Sequence, residues 1–202
     1  MRASAVILAA GRSTRMGGPK LALPFRGGTV LARVLWTLAR PGVEERVVVL
    51  GHHRDRLEPI VAEIAREPGS RVITVVNPDP EGDMASSIRV GVRAAAASSD
   101  WLLITPADLP ALEPATVDRL LDEAVRCHPL KRPPLLVPVC RGRGGHPLAL
   151  PEKLRADVLA APPGWTLHDW VEGVTYPVRE VEVDDEGIHR DLDGPGDLEG
   201  LE

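Results

Sequence analysis

The chain has 202 residues, 44% hydrophobic and 26% charged, the balance of an ordinary soluble globular protein with length enough for a sizeable core. No apolar run approaches the ~20 residues of a membrane span, no secretory leader is visible, and a net charge of −5 argues against non-specific nucleic-acid binding. Cys127 and Cys140, the two cysteines, have neither metal-ligand spacing nor disulfide density. The expected setting is a reducing cytoplasm, with both thiols as buried filler.

In chain order, continuous apolar runs alternate with helical patterns. Strands are expected at Ala5–Leu8, Arg46–Leu50, Val72–Val76, Trp101–Thr105 and Leu135–Val139, the unbroken hydrophobicity of parallel strands covered on both faces. Between them, "TVLARVLWTLAR" puts Leu31, Val34, Leu35 and Leu38 on one helical face, and "DRLEPIVAEIAR" does so with Leu57, Ile60, Val61 and Ile64. "MASSIRVGVRAAAA" and "PATVDRLLDEAVRC" complete the series, the last opening with a proline suited to a first helical turn. This order implies a doubly wound, mostly parallel α/β sheet that binds ligands at the carboxyl ends of its strands. After residue 140 the rhythm breaks into a Gly-rich stretch, a strand "PLAL", short helices near 151–160 and 166–171, an extended "TYPVREVEV" and an acidic tail. With no linker or repeat, the reading is one domain, 1–202, with a small lobe grafted on the same sheet.

The loop after the first strand, "LAAGRSTRMGGPK", is purely cationic. Residues 1–43 hold seven Arg or Lys and no acid, which leaves −12 on the remainder. A positive end that coincides with a Gly-rich loop suggests a site for a compact polyanion, the rival being a solvated arm. Two common phosphate motifs do not fit. Counting from Gly11, the P-loop needs glycine where Met16 stands, and the dinucleotide fingerprint needs it at Ser13. What remains is a glycine-relaxed backbone with cations at Arg12, Arg15 and Lys20, able to wrap a triphosphate with charge-assisted hydrogen bonds.

"LAAGRSTRMGGPKLALPFRGGTVLARVL" closely resembles the opening of the molybdenum cofactor cytidylyltransferase group within the MobA-like nucleotidyltransferases. That pattern reads L-A-A-G-x-S-x-R-M-G-x-x-K, then an apolar-Leu-Pro segment, and each specified position is matched. The resemblance extends to "VVVLGHHRD", "NPDPEGDMASSIRVG", "TPADLP", "GGHPLAL" and "RDLDGPGDL". It implies a Rossmann-like nucleotidyltransferase fold with an NTP-binding half of about 1–110 and an acceptor-binding half of about 111–202. It implies a Mg²⁺-dependent transfer of CMP from CTP to a molybdopterin-type phosphorylated acceptor, releasing pyrophosphate, and a contact with a molybdoenzyme or its chaperone.

In-line attack on an α-phosphorus asks the protein mainly to position and to neutralise. By charge and by family match, Arg15 and Lys20 take that task. The resemblance gives nucleotide contacts to Leu8, Ala9, Ala10, Gly11, Arg12 and Ser13, and to Asn77, Gly82, Asp83 and Ser87 beyond the third strand. Mg²⁺ wants one or two carboxylates alongside phosphates. Asp108, just past a buried strand, suits that better than a helix cap, because the next helix starts nearer Pro114. Asp191 and Asp193 compete as the second ligand, and the motif match favours Asp193. Gly145 and His146 match the acceptor side, though His146 is equally readable as a turn residue before Pro147. His52 and His53 read as turn residues. Trp36 and Trp101 read as core, with Trp165 and Trp170 in the acceptor lobe.

Two departures matter. Ala-Ala-Gly resembles cytidylyl enzymes, whereas guanylyl relatives carry Ala-Gly-Gly, so CTP is preferred over GTP. "GWTLHDW" replaces the molybdopterin branch's Gly-Asp-x-Gly-Ala-Arg and loses the arginine, for which Arg141 or Arg143 could substitute. The alternatives are a relative acting on methylerythritol phosphate, a phospholactate-type metabolite or a sugar phosphate, or a nucleotide-binding accessory protein without catalysis.

Overall fold

In the computed structural model, residues 1–13, 18–79, 83–162, 164–173, 175–192 and 194–198 are described. β1 (Ala3–Ala9) is followed by the cationic loop, a single 3₁₀ turn at Lys20–Ala22, and a small hairpin of β2 (Pro24–Phe25) and β3 (Gly28–Thr29). Then come α1 (Val30–Thr37), β4 (Val43–Leu50), α2 (Arg54–Ala65), β5 (Val72–Val76), α3 (Met84–Ala94), β6 (Trp101–Pro106) and α4 (Pro114–Cys127). The remainder supplies β7 (Leu135–Cys140), β8 (Arg143–Gly144), β9 (Leu148–Pro151), α5 (Arg155–Ala160), α6 (Leu167–Gly173) and β10 (Val178–Glu182). Each strand and helix expected from periodicity is present, with ends shifted by a few residues. β1 and β4 run longer than their apolar centres, because ladder pairing continues through Ala3 and Val43.

One eight-stranded sheet has the order β10-β7-β9-β6-β1-β4-β5, with β8 beside β7. β1 pairs parallel with β4 and β6, and β4 pairs parallel with β5. β9 enters antiparallel between β6 and β7. The grafted lobe is therefore the sheet's own continuation.

The pleat sends alternate residues of β1 to opposite faces. Ala5, Ile7 and Ala9 join the layer under α1, α2 and α4, while Val6 joins the layer under α3, α5 and α6. α3 lies close against the sheet at Gly91, where a Cβ would come 2.3 Å from Val6 Cγ1. Trp101 is fully buried, and both cysteines are buried and free. Full coverage does not extend to the edge strand β5, where Ile73 and Val76 are exposed.

Two buried acids do structural work. Glu45 accepts from Ser4 Oγ at 2.7 Å and from Ala96 N at 2.5 Å. Asp185 accepts from Glu113 N, Thr116 Oγ1 and Gly187 N, at 3.0, 2.6 and 2.8 Å. It thus holds the start of α4 through the backbone N–H of Glu113 and the hydroxyl of Thr116, where Glu113 makes no side-chain cap. The same bonds fasten the C-terminal segment across the top of the sheet. Among the described residues, no helix is long and apolar enough to cross a membrane.

Candidate active site

Because β1, β4, β5 and β6 are parallel, the segments after their last residues gather along one edge. The cationic loop leaves β1 there. His52 and His53, in the turn after β4, hold its base: His52 Nδ1 lies 3.3 Å from the Ala10 carbonyl, and His53 Nε2 donates to the Arg12 carbonyl at 2.8 Å. Gly51 makes this approach possible, since a Cβ there would lie 2.6 Å from the Ala10 oxygen. These histidines are turn residues, as expected, and they also brace the loop. Only the Gly-His-His sequence hinted at that.

Of the candidate nucleotide contacts, Leu8, Ala9 and Ala10 end β1, with the Leu8 carbonyl already accepting from Ala107 N at 3.1 Å. Gly11 has open space around it, and Arg12 is exposed. Ser13 adopts a left-handed backbone (φ 51°), and its Oγ accepts from Lys20 N at 3.3 Å. Arg15, Gly82 and Asp193 lie outside the described residues.

Asn77, Asp83 and Ser87 come together after β5. The Asn77 amide donates to Ser86 Oγ and Ser87 Oγ at 2.8 and 3.0 Å. Asp83 caps α3 by accepting from Ser86 N at 2.8 Å, and its other oxygen accepts from Gly164 N at 2.5 Å. Those two amides, Gly164 first, hold the Asp83 carboxyl below its usual range. Arg89 adds bonds to the carbonyls of Ala161 and Pro162, at 2.7 and 2.9 Å, so α3 carries the segment that leads into α6.

Lys20 reaches from the loop's end to Asp108. Its ammonium donates to Asp108 Oδ2 at 2.5 Å and to the Leu192 carbonyl at 2.6 Å. Asp108 caps no helix, as expected. Its Oδ1 is buried without a partner, an unusual state for a carboxylate oxygen and one that suits a cation ligand. Asp191 lines the same cavity as Asp108. Among the described residues no three His, Cys, Asp or Glu side chains converge. Two carboxylates beside phosphate oxygens would be a donor set suited to Mg²⁺.

That cavity, about 560 Å³, opens beside Asp108 toward the grafted lobe. Gly145 and His146 form part of its wall, as do Arg143, Leu167, His168 and Ile188. Gly145 serves close approach, since a Cβ there would lie 2.3 Å from the Ile188 carbonyl oxygen. The peptide between His146 and Pro147 is cis. His146 Nδ1 is buried and unpartnered. Burial depresses the imidazole's pKa, against the upward pull of the Ile104 carbonyl and of Asp108 and Asp191. Trp165 and Trp170 are not in this wall. Their rings pack on each other, centroids 6.1 Å apart, in the apolar layer.

A carboxyl-edge arrangement of a Gly-rich cationic loop, a buried carboxylate and an adjoining cavity is where open α/β sheets bind their ligands. The chain belongs to the MobA-like NTP transferase family, whose domain profile matches residues 5–174. Over its full length it is similar to the crystal structure of Rv0371c from Mycobacterium tuberculosis, with TM-score 0.81, 26% identity and coverage of 100% and 98% of the two chains. The manganese complex of Rv0371c matches at TM-score 0.76 and 25% identity. A nucleotidyl transferase from Methanothermobacter thermautotroptrophicus matches at TM-score 0.78 and 26% identity, covering 99% and 95% of the two chains. Among curated relatives, the bifunctional protein GlmU of Mycolicibacterium smegmatis is 34% identical over 122 residues, 59% of this chain and 25% of GlmU. Nicotine blue oxidoreductase of Paenarthrobacter nicotinovorans is 39% identical over 117 residues, 57% of this chain. The matched segment thus spans a quarter of the first relative and about half (54%) of the second.

Proposed function

We propose that the chain transfers a nucleoside monophosphate, CMP from CTP, to a phosphorylated small-molecule acceptor of the molybdopterin type and releases pyrophosphate. The observation that carries this reading is the Lys20–Asp108 contact, which joins the cationic loop to a carboxylate in the wall of the second cavity. A donor bound on the loop and an acceptor in the cavity meet there. The donor half is then about 1–110 and the acceptor half about 111–202, working in the cytoplasm on soluble metabolites.

Loop amides of residues 11–13 and Gly18, with Arg15 and Lys20, would bend and neutralise the triphosphate. Asn77, Asp83 and Ser87 would border the base and ribose. Asp108, with Asp191 or Asp193, would hold Mg²⁺, which when bound neutralises charge on the phosphate oxygens. A phosphate monoester, with a second pKa of about 6, reaches the cavity already as a dianion, so its attack needs no general base. Lys20 must leave Asp108 to reach the phosphates.

The test is a pyrophosphate-release screen that crosses four NTPs with molybdopterin, methylerythritol phosphate, phospholactate and sugar phosphates, with and without Mg²⁺. Metal-dependent release with CTP and molybdopterin is expected. Release with GTP alone would overturn the nucleotide assignment, and release with another acceptor would overturn that one. Nucleotide binding without release in any combination would favour a non-catalytic accessory role.

A further inference from the structure

The cavity beside Asp108 is unevenly charged. Its floor is apolar, including Val137, Leu148, Leu167 and Val171, and Arg143 is the sole Lys or Arg among its described lining residues. Arg143 is exposed and makes no hydrogen bond or ion pair with the described residues.

The hairpin fixes the backbone from which this side chain extends. β7 and β8 pair antiparallel with Cys140 opposite Arg143, joined by the two residues Arg141 and Gly142. Both have positive φ, 52° and 76°, the signature of a tight primed hairpin turn whose twist matches its strands. Arg141 is itself paired with Glu186. One arginine of the hairpin is thus neutralised and pinned, and the other is left facing the cavity.

Among the described residues, α6 adds no Lys or Arg to the lining. Its Asp169 accepts from Thr166 Oγ1 at 2.7 Å and from Thr166 N at 3.2 Å, closing the helix start. α6 presents Leu167, His168 and Val171 to the cavity instead. Two further polar atoms in the wall, His146 Nδ1 and His189 Nδ1, are buried without partners. A ligand that satisfies this wall carries one anionic group on the hairpin side and one or two hydrogen-bonding atoms for the imidazoles. The part of it that lies over the apolar lining is a flat ring or an apolar face, because a polyol would leave hydroxyls unpaired there.

We propose that Arg143 is the residue that selects the acceptor: from the β7–β8 hairpin it binds the anionic group of a compact molecule whose flat ring or apolar face lies over Val137, Leu148, Leu167 and Val171. This rests on reading the cavity as the acceptor site.

The experiment is an amide and arginine side-chain NMR titration of the full chain with phenyl phosphate, glycerol 3-phosphate and benzyl alcohol as probes. Phenyl phosphate is expected to shift Gly144, His189 and Val171 and the Arg143 guanidinium, and to bind more tightly than either of the others. Arg143→Ala should weaken it about 10- to 100-fold, the range for losing one charge-assisted contact, and Arg143→Lys should recover part of the loss. Because Arg143 is exposed and unpaired, neither variant should alter the melting temperature. Unchanged phenyl phosphate affinity in Arg143→Ala, or glycerol 3-phosphate binding as tightly as phenyl phosphate, overturns the proposal. The donor reading is scored separately, by shifts at Gly11, Ser13 and Lys20 on adding CTP with Mg²⁺. Their absence alongside intact Arg143 shifts would sink that reading and support the cavity's own selectivity.

Discussion

Lys20 and Asp108 are joined at 2.5 Å with side chains only 16% and 18% exposed, and the same ammonium reaches the Leu192 carbonyl at 2.6 Å. A cation held between a carboxylate and a carbonyl oxygen occupies surroundings a divalent ion would also seek. On the proposed reading, the ammonium and a metal would compete for Asp108 until phosphate drew the lysine away. Lys20→Met is expected to tighten Mn²⁺ binding in the absence of nucleotide, read by electron paramagnetic resonance of free Mn²⁺. The same variant should lose ~10²–10³ in turnover, the usual cost of one preorganised phosphate donor. Weaker or unchanged Mn²⁺ binding would show that the pair does not guard the metal site.

The two glycine-rich stretches respond differently to a methyl group. At Gly145 a Cβ would strike the Ile188 backbone oxygen at 2.3 Å, whereas nothing lies within 4 Å at Gly11. Gly145→Ala should cost about 1–3 kcal/mol, the usual range for overpacking. At 2–4 °C per kcal/mol for a chain of this size, that lowers the melting temperature by several degrees. Gly11→Ala should leave the melting temperature unchanged. Calorimetry on both variants checks the pair, and equal melting temperatures would remove the close-approach account.

Asp83 ties α3 to the segment before α6 through Ser86 N and Gly164 N. Asp83→Ala removes an N-cap, worth about 0.5–2 kcal/mol, and frees the Gly164 amide. Hydrogen exchange should quicken at Ser86 and across α6 while the β1 amides stay protected. Unaltered exchange in α6 would refute the tether.

His146 gives the fold an acid-side weakness. Burial lowers its folded pKa below the unfolded value of about 6.5, so the unfolded chain binds the proton more readily. The stability associated with its neutral ring is complete above pH ~6.5 and declines as pH falls through that value toward the folded pKa. His146→Gln should flatten the slope of unfolding free energy between pH 6.5 and 5, measured by urea titration. An unchanged slope would assign the acid sensitivity elsewhere.

The fold was legible because parallel strands write themselves as apolar runs. α4 even begins at the proline that the sequence singles out, Pro114. What the sequence did not show is long-range by nature. The bonds from Asp185 to Glu113 and Thr116 span some seventy residues, and no local pattern announces them. The site divided in the same way. Lys20 meets Asp108, and Asp108, Gly145 and His146 line one cavity, so residues far apart in sequence but named from their motifs lie close in space. Asn77 is bonded to Ser86 and Ser87, and Asp83 to Ser86 N and Gly164 N, contacts that residue type alone does not reveal. Trp165 and Trp170, the latter on α6, pack on each other with tilted rings in the apolar layer rather than lining the cavity.

The antiparallel strand β9 has a consequence for how such a protein diversifies. By pairing with β6 on one side and β7 on the other, it joins the early and late strands into one sheet, so the loop at β1 and the hairpin at β8 stand on a common frame. Their spacing is a property of the sheet, whereas their chemistry belongs to short peripheral segments. Replacing Arg143, its hairpin or α6 would retool the incoming partner while the machinery that handles the activated nucleotide stays in place.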